Sequence, residues 1–177
     1  REKNTFAYIG DISDDLSVEV KYTDIVYKND QDSLGGENFG HHRITLSSGE
    51  RAFPTSEQYR SANETNIDEE ILSLKATLLR GNHTISMGYD MHEKFVSNLF
   101  IAFENGRFYW NSVDDFVNGN LTYLRFIKPV TGNLMDGAAI VDIDMSTFYI
   151  EDVVDVSDIL TLNFGVRVDT IDQPENT

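Results

Sequence analysis

The chain has 177 residues, no cysteine, and a formal net charge of −16 from 30 acidic and 14 basic side chains. Without cysteine there is no disulfide framework and no thiolate zinc site. The acid excess argues against nucleic acid, whose phosphates need a basic patch, and against a polybasic attachment to anionic lipid.

Hydropathy shows no apolar run long enough for a membrane helix, which excludes helical membrane proteins but not barrels, whose strands give a weaker signal. Thr5 to Ile9 reads as a short strand and Gly10 to Asp15 as a turn rich in Gly, Asp and Ser. From Leu16 the alternation is clear, with Leu16, Val18, Val20 and Tyr22 against Ser17, Glu19, Lys21 and Thr23. Asn29 to Gly40 reads as a loop, with a short strand marked by Ile44 and Leu46. Ser47 to Glu70 is polar and aperiodic and predicts a long loop, of a kind unusual in a compact domain but ordinary on the outer side of a membrane barrel. Order returns at Leu72, Leu74, Ala76 and Leu78, and Arg80-Gly81-Asn82 predicts a tight turn. Ile85, Met87, Tyr89 and Met91 then line one wall, with Ser86, Gly88, Asp90 and His92 on the other. Asn105-Gly106 is a hairpin signal, and Ser112-x-x-Asp115 predicts an N-cap for a short helical turn ending near Gly119. Leu121 to Ala139 is ambiguous.

Ile140 to Val156 predicts a strand, with Asp152 a polar exception on its apolar face. The strongest signal follows it. After a short turn at Ser157-Asp158, Leu160, Leu162, Phe164, Val166 and Val168 alternate with Thr161, Asn163, Gly165, Arg167 and Asp169. One wall of that strand is apolar and the other polar or bare, over the roughly 9–11 residues a barrel strand needs to cross a bilayer. Short turns near Asp11, Gly81 and Asp158 alternate with long excursions over 29–70 and 93–139. Strand parity therefore puts Ser47 to Glu70 and Asn105 to Asn120 on one rim. Arg1 is not an initiator methionine, no signal peptide is visible, and the chain trails off polar at Pro174-Glu175-Asn176-Thr177, so a piece of a longer protein is expected.

Phe148-Tyr149-Ile150-Glu151-Asp152, followed by Leu160-Thr161-Leu162-Asn163-Phe164-Gly165-Val166-Arg167-Val168-Asp169, resembles a strand–turn–strand pattern of TonB-dependent outer-membrane receptors. His83-Thr84-Ile85-Ser86-Met87-Gly88-Tyr89-Asp90 resembles another strand of that family. Asn98-Leu99-Phe100, Gly106 to Trp110, Ser112 to Phe116 and, more loosely, Tyr59 to Asn63 resemble a long loop of its Oar-like subgroup. Val154 and Val168 stand where family barrels often carry Trp and Tyr, which thins the aromatic girdle. The resemblance implies an all-β antiparallel meander, residues 1–177 forming part of a large transmembrane barrel, or an open curved sheet if isolated. It implies a Gram-negative outer membrane, about 22 strands around a plug that this chain lacks, and energised uptake of an unknown extracellular ligand. The partners implied are outer-membrane lipid, the ligand, and a TonB complex acting through that plug. No cofactor is expected. The alternative is a soluble extracellular or periplasmic β-sandwich acting as a binding or adhesin module, with a sensor domain further off for want of a long helical period.

Lipid-facing positions would be Ile85, Met87, Tyr89, Met91, Leu160, Leu162, Phe164, Val166 and Val168. Ligand contacts would fall on the loop residues Tyr59, Arg60, Phe108, Tyr109 and Trp110, since binding residues concentrate on loops held by a rigid scaffold. The cluster Phe108-Tyr109-Trp110, with Phe100 and Phe103, also fits an interfacial belt or the packing core of a folded loop. His41-His42 near Glu37 is a poor chelate, because adjacent residues of an extended chain point apart. Asp142, Asp144, Asp152 and Asp155 do not follow the spacing of a calcium loop, though weak cation binding at a rim stays open. No nucleophile elbow, zincin motif or P-loop is present, so no metal site and no catalysis are expected. Asp114 and Asp115 suit the first turn of a helix, where negative charge meets the positive dipole end.

Overall fold

The computed structural model describes residues 1–33, 36, 38–55 and 57–173; Glu37 and residues 174–177, which entered the expectations above, lie outside the described residues. The chain is mostly strand. In order it forms β1 (Glu2–Ser13), β2 (Leu16–Asp30), β3 (His41–Thr45), β4 (Arg51–Ala52), β5 (Asn63–Arg80), β6 (His83–Phe100), β7 (Arg107–Trp110), helix α1 (Val113–Asn118), β8 (Tyr123–Arg125), β9 (Ala138–Ser157) and β10 (Leu160–Asp172). Contacts divide it into two compact units, one from Arg1–Tyr27, Ile67–Val96 and Ile140 onward, the other from Lys28–Asn66 and Ser97–Ala139.

The first unit holds the body of a six-stranded antiparallel sheet in the order β1-β2-β5-β6-β9-β10, open at both edges. This is the meander that the alternating segments predict. Its two-residue turns, at Asp14-Asp15, Gly81-Asn82 and Asp158-Ile159, close one end, and both long excursions leave from the other. Gly81 has φ 64° at the first central position of its turn, where a side chain would be strained. Asn82 anchors that turn to β9: its amide donates to the Asp155 carbonyl at 2.7 Å, and its own carbonyl accepts from the Asp155 N–H at 2.9 Å.

Several local expectations change. The first strand runs on to Ser13, so the Gly10–Asp15 turn shrinks to two residues. Residues 63–70 are strand and not loop, because β5 continues past its apolar stretch and pairs through polar positions. Asn105-Gly106 does not join a hairpin. Gly106 closes a turn by donating to the Phe103 carbonyl at 2.9 Å, and the strand after it pairs elsewhere.

That pairing belongs to the second unit, whose four-stranded sheet has the order β4-β3-β7-β8. β3 and β7 are parallel, His41 facing Arg107 and Ile44 facing Trp110. A parallel pair needs a long connection, and each of these strands comes from a different excursion. The chain is therefore not antiparallel throughout. The helix at 113–118 follows its expected caps: the Ser112 hydroxyl accepts from the Asp115 N–H at 3.0 Å, Asp114 and Asp115 occupy the first turn, and Gly119 ends it at φ 73°.

Gly165 faces Glu151 across the β9–β10 pair. A Cβ there would sit 2.7 Å from the Ile150 carbonyl oxygen and 3.1 Å from the Glu151 Cα, both backbone atoms that cannot swing away. Gly165→Ala should therefore destabilise the β9–β10 pair by about 1–3 kcal/mol, as overpacking does, whereas Asn163→Ala should cost less. Amide hydrogen exchange of residues 149–153 checks this: faster exchange in the Gly165 variant alone is expected.

Candidate functional site

Three of the five residues expected to meet a ligand come together in the second unit. Tyr109 and Trp110 are buried at 8% exposure, and Phe108 is half-buried. On one face of the sheet lie His42, Ile44, Phe108, Trp110 and Leu124, with Phe116 of α1 against them. His42 is sandwiched there, stacked on Phe108 at 4.9 Å and Trp110 at 5.9 Å, while Phe116 meets it edge-on at 5.5 Å. Trp110 Nε1 donates to His42 Nδ1 at 3.0 Å, which fixes the neutral imidazole with its proton on Nε2. Burial holds the His42 pKa below the usual 6.5, because a charged ring there would lack the hydration it has in water. This face is packing. Of the three roles open to the aromatic cluster, Trp110 takes that of core.

The opposite face carries His41 and Arg43 from β3, Arg107 and Tyr109 from β7, and Tyr123 and Arg125 from β8. His41 and His42 thus point to opposite sides, as adjacent strand residues must. Tyr109 stacks on Tyr123 at 4.0 Å. The Arg107 guanidinium lies 4.8 Å from the Tyr109 ring centre and 5.3 Å from that of Phe103, which also receives Arg125 at 5.2 Å; Arg43 lies 5.3 Å from Tyr109. Phe103 has φ 62°, a left-handed conformation costing a bulky residue about 1–3 kcal/mol. Sequence reasoning passed over these three arginines. The available signal was the strand alternation Arg107-x-Tyr109 and Tyr123-x-Arg125, hidden because neither stretch exceeds four residues. Tyr59 and Arg60 lie in a turn before β5, where Arg60 pairs with Glu57 and Tyr59 packs on Phe100 at 6.3 Å and on Phe103 at 6.0 Å, the ring that also receives Arg107 and Arg125.

The nine positions expected to face lipid lie in the first unit, and cross-strand pairing and side-chain contacts put them on one face. Val168, Val166 and Leu162 stand directly opposite Phe148, Ile150 and Val154. His83 Nδ1 lies 2.8 Å from the Asp152 carboxylate, so the His83–Ile85–Met87–Tyr89–Met91 row shares that face. Met87, Tyr89 and Phe148 line one depression with Val18, Val20, Leu74 and Ala76, and Phe6 and Tyr8 oppose Tyr22 and Val20. One apolar face therefore runs across all six strands, interrupted by the Asp152–His83 pair. Nothing among the described residues covers it: Phe164, Val166 and Val168 are 59%, 63% and 56% exposed.

The band has a sharp border on the side of the long excursions. Asn4 faces Asp24, Thr170 faces Ser146 and Asp172 faces Asp144. Tyr22 donates to Glu70 at 3.0 Å, and Asp68, Glu70, Glu93, Asp142 and Asp144 line a common hollow with Lys94 and Phe95. Phe6, Tyr8, Tyr22, Tyr89 and Phe148 stand just inside this acidic border. The reverse face is tied by polar bonds, including Asn163 to Glu151 at 2.7 Å, Thr161 to Asp155 at 2.6 Å and Thr147 to Asp169 at 2.6 Å. Arg167 closes on Asp169 at 2.9 Å. Apolar residues also stand on this face, among them Ala7, Ile9, Ile25, Leu79, Tyr149, Val153 and the facing pair Met145 and Ile171.

Comparison with protein-family models, with characterised proteins and with solved structures gave no significant match in any of the three.

The burial of His42 makes the second unit sensitive to pH. The folded state holds His42 neutral below the ordinary 6.5, so the unfolded state binds the proton first as pH falls. The stability this contributes is complete above pH 6.5 and declines as pH drops from there towards the folded-state pKa. Trp110 is the sole tryptophan, so its emission should titrate with a midpoint below 6.5. In His42→Phe that titration should vanish; its persistence would mean that another group is responsible.

Proposed function

We propose that this chain is a segment of the wall and outer loops of a TonB-dependent outer-membrane receptor of the Oar-like subgroup. In that reading the six long strands belong to a larger closed barrel, and the protein takes part in uptake and does not catalyse a reaction. The observation that carries the reading is the apolar face of the six-stranded sheet. It runs across all six strands with one polar interruption, is uncovered among the described residues, and is bounded by an acidic border. A soluble monomer rarely exposes a contiguous apolar patch beyond about 300–600 Å², whereas a barrel wall turns such a face to hydrocarbon.

Three further features support it. Leu160 to Val168 gives nine residues of apolar alternation, within the span a tilted strand needs. Rings gather inside the acidic border, as amphipathic side chains do at headgroup level. The reverse face carries hydrogen-bonded polar residues suited to a wet lumen. Lipid cannot satisfy open strand edges, so β1 and β10 would pair with strands outside this chain. The side of the long excursions would face the exterior and present the second unit to an extracellular ligand, with a separate TonB complex acting through the plug that the rest of the receptor supplies. The β-sandwich alternative needs a second layer over the apolar face; the four-stranded sheet instead buries its own aromatic residues around α1.

The test compares Val166→Arg with Asn163→Arg in the intact receptor. Arginine facing mid-bilayer lipid costs about 2–4 kcal/mol, while a lumen arginine keeps its water. Heat-modifiable gel mobility in outer-membrane fractions should show poorer folding of the Val166 variant. Equal folding, or poorer folding of Asn163→Arg, would count against a lipid-facing wall.

A further inference from the structure

We propose that the arginine-bearing face of the four-stranded sheet, built on Arg43, Arg107 and Arg125, binds a phosphate-type oxyanion. The inference rests on the second unit alone and holds whether or not the first sheet meets lipid. Arg107 stands directly opposite Arg125 on the neighbouring strand and opposite His41 on the other side. Like charges placed directly opposite destabilise a sheet. A chain with 30 acids and 14 bases would be expected to put a carboxylate in such a row, yet none of the three arginines forms an ion pair among the described residues. Glu104, beside Phe103 in sequence, is engaged by Lys128 at 3.1 Å.

The rings explain how the guanidiniums are held. Tyr109 and Phe103 hold them within 4.8–5.3 Å of the ring centres. A cation–π contact does not consume the N–H donors of a guanidinium, which can still donate to an oxyanion in a fork. Arg107 Nε is shielded from solvent and has no acceptor among the described residues. A desolvated donor without a partner is unfavourable, and a ligand oxygen would complete it. Guanidiniums on three separate strands suit a group with three terminal oxygens better than the two of a carboxylate. Such a group is carried by a phosphorylated lipid headgroup or by a soluble phosphate ester.

The experiment titrates the intact protein in neutral-detergent micelles with inorganic pyrophosphate by calorimetry, at low ionic strength. Saturable binding is expected, weakened at least tenfold in Arg107→Gln and in Arg125→Gln and unchanged in Arg167→Gln, whose guanidinium is held by Asp169. Arg125 is exposed and its loss removes a like charge from the row. Arg125→Gln should therefore keep or raise the melting temperature while losing affinity, which a merely structural arginine would not do. Arg107→Lys should fold yet bind more weakly than wild type, because an ammonium lacks the planar fork. Doping the micelles with phosphatidic acid separates the two sources: displacement of pyrophosphate assigns the site to a lipid phosphate, and retention assigns it to a soluble one. Absence of saturable binding, or binding equal in wild type, Arg107→Gln and Arg125→Gln, would overturn the proposal.

Discussion

A β-sheet that is apolar on one face must place that face against something, and this constraint organises the whole chain. Six strands contribute to the face, and the register of β1–β2 and of β9–β10 keeps the apolar rows of each pair in phase. A slip of one residue in any strand would turn its apolar set to the polar side. The hydrogen bonds that hold the phase lie mostly on the reverse face, where Asn163, Thr161 and Thr147 bond across to β9 or β10 partners. On the apolar face the single polar insertion, Asp152, is met by His83. A lone carboxylate there would be costly against hydrocarbon, and a hydrogen-bonded partner reduces that cost.

The second unit meets the same constraint within itself. Most of the buried apolar residues of the chain belong to it, among them Ile44, Ala62, Leu99, Ile101, Phe103, Tyr109 and Trp110. Two excursions far apart in sequence supply β3 and β7, and their parallel pairing joins them. α1 then covers one face, with Phe116 set against His42 and Trp110. The other face keeps its charge at the surface by laying guanidiniums on rings. One unit is thus a small self-contained core, and the other is a wall that leaves its apolar side unfilled. In the proposed setting, bilayer hydrocarbon fills it.

The wall was legible in the sequence because its signal is local and repeated. The positions from Leu72 to Leu78, from Ile85 to Met91 and from Leu160 to Val168 alternate with period two, and the turns between strands announce themselves at Gly81 and Ser157-Asp158. The helix was legible for the same reason, through Ser112 and Gly119. The second sheet was not. Its strands are two to five residues long, too short for periodicity to register, and its central pairing joins segments more than sixty residues apart. Asn105-Gly106 misled because the dipeptide permits a turn without fixing which strands flank it. The extension of β5 through residues 63–70 was hidden by polar side chains on both faces, which erase the alternation while leaving the backbone ladder intact. Ligand contact, interfacial belt and packing core all stayed open for Trp110, because the aromatic run does not show that Phe116 of the expected helix packs against it.

Depth-resolved quenching along β10 tests the central claim most directly. Single cysteines at Thr161, Leu162, Asn163, Phe164, Val166 and Arg167 would carry a small fluorophore in the intact protein, reconstituted into bilayers containing brominated acyl chains. The account predicts quenching by the brominated chains at 162, 164 and 166, and by aqueous iodide at 161, 163 and 167. The same response at both sets, or no acyl-chain quenching at 162, 164 and 166, would contradict a wall that faces lipid on one side and water on the other.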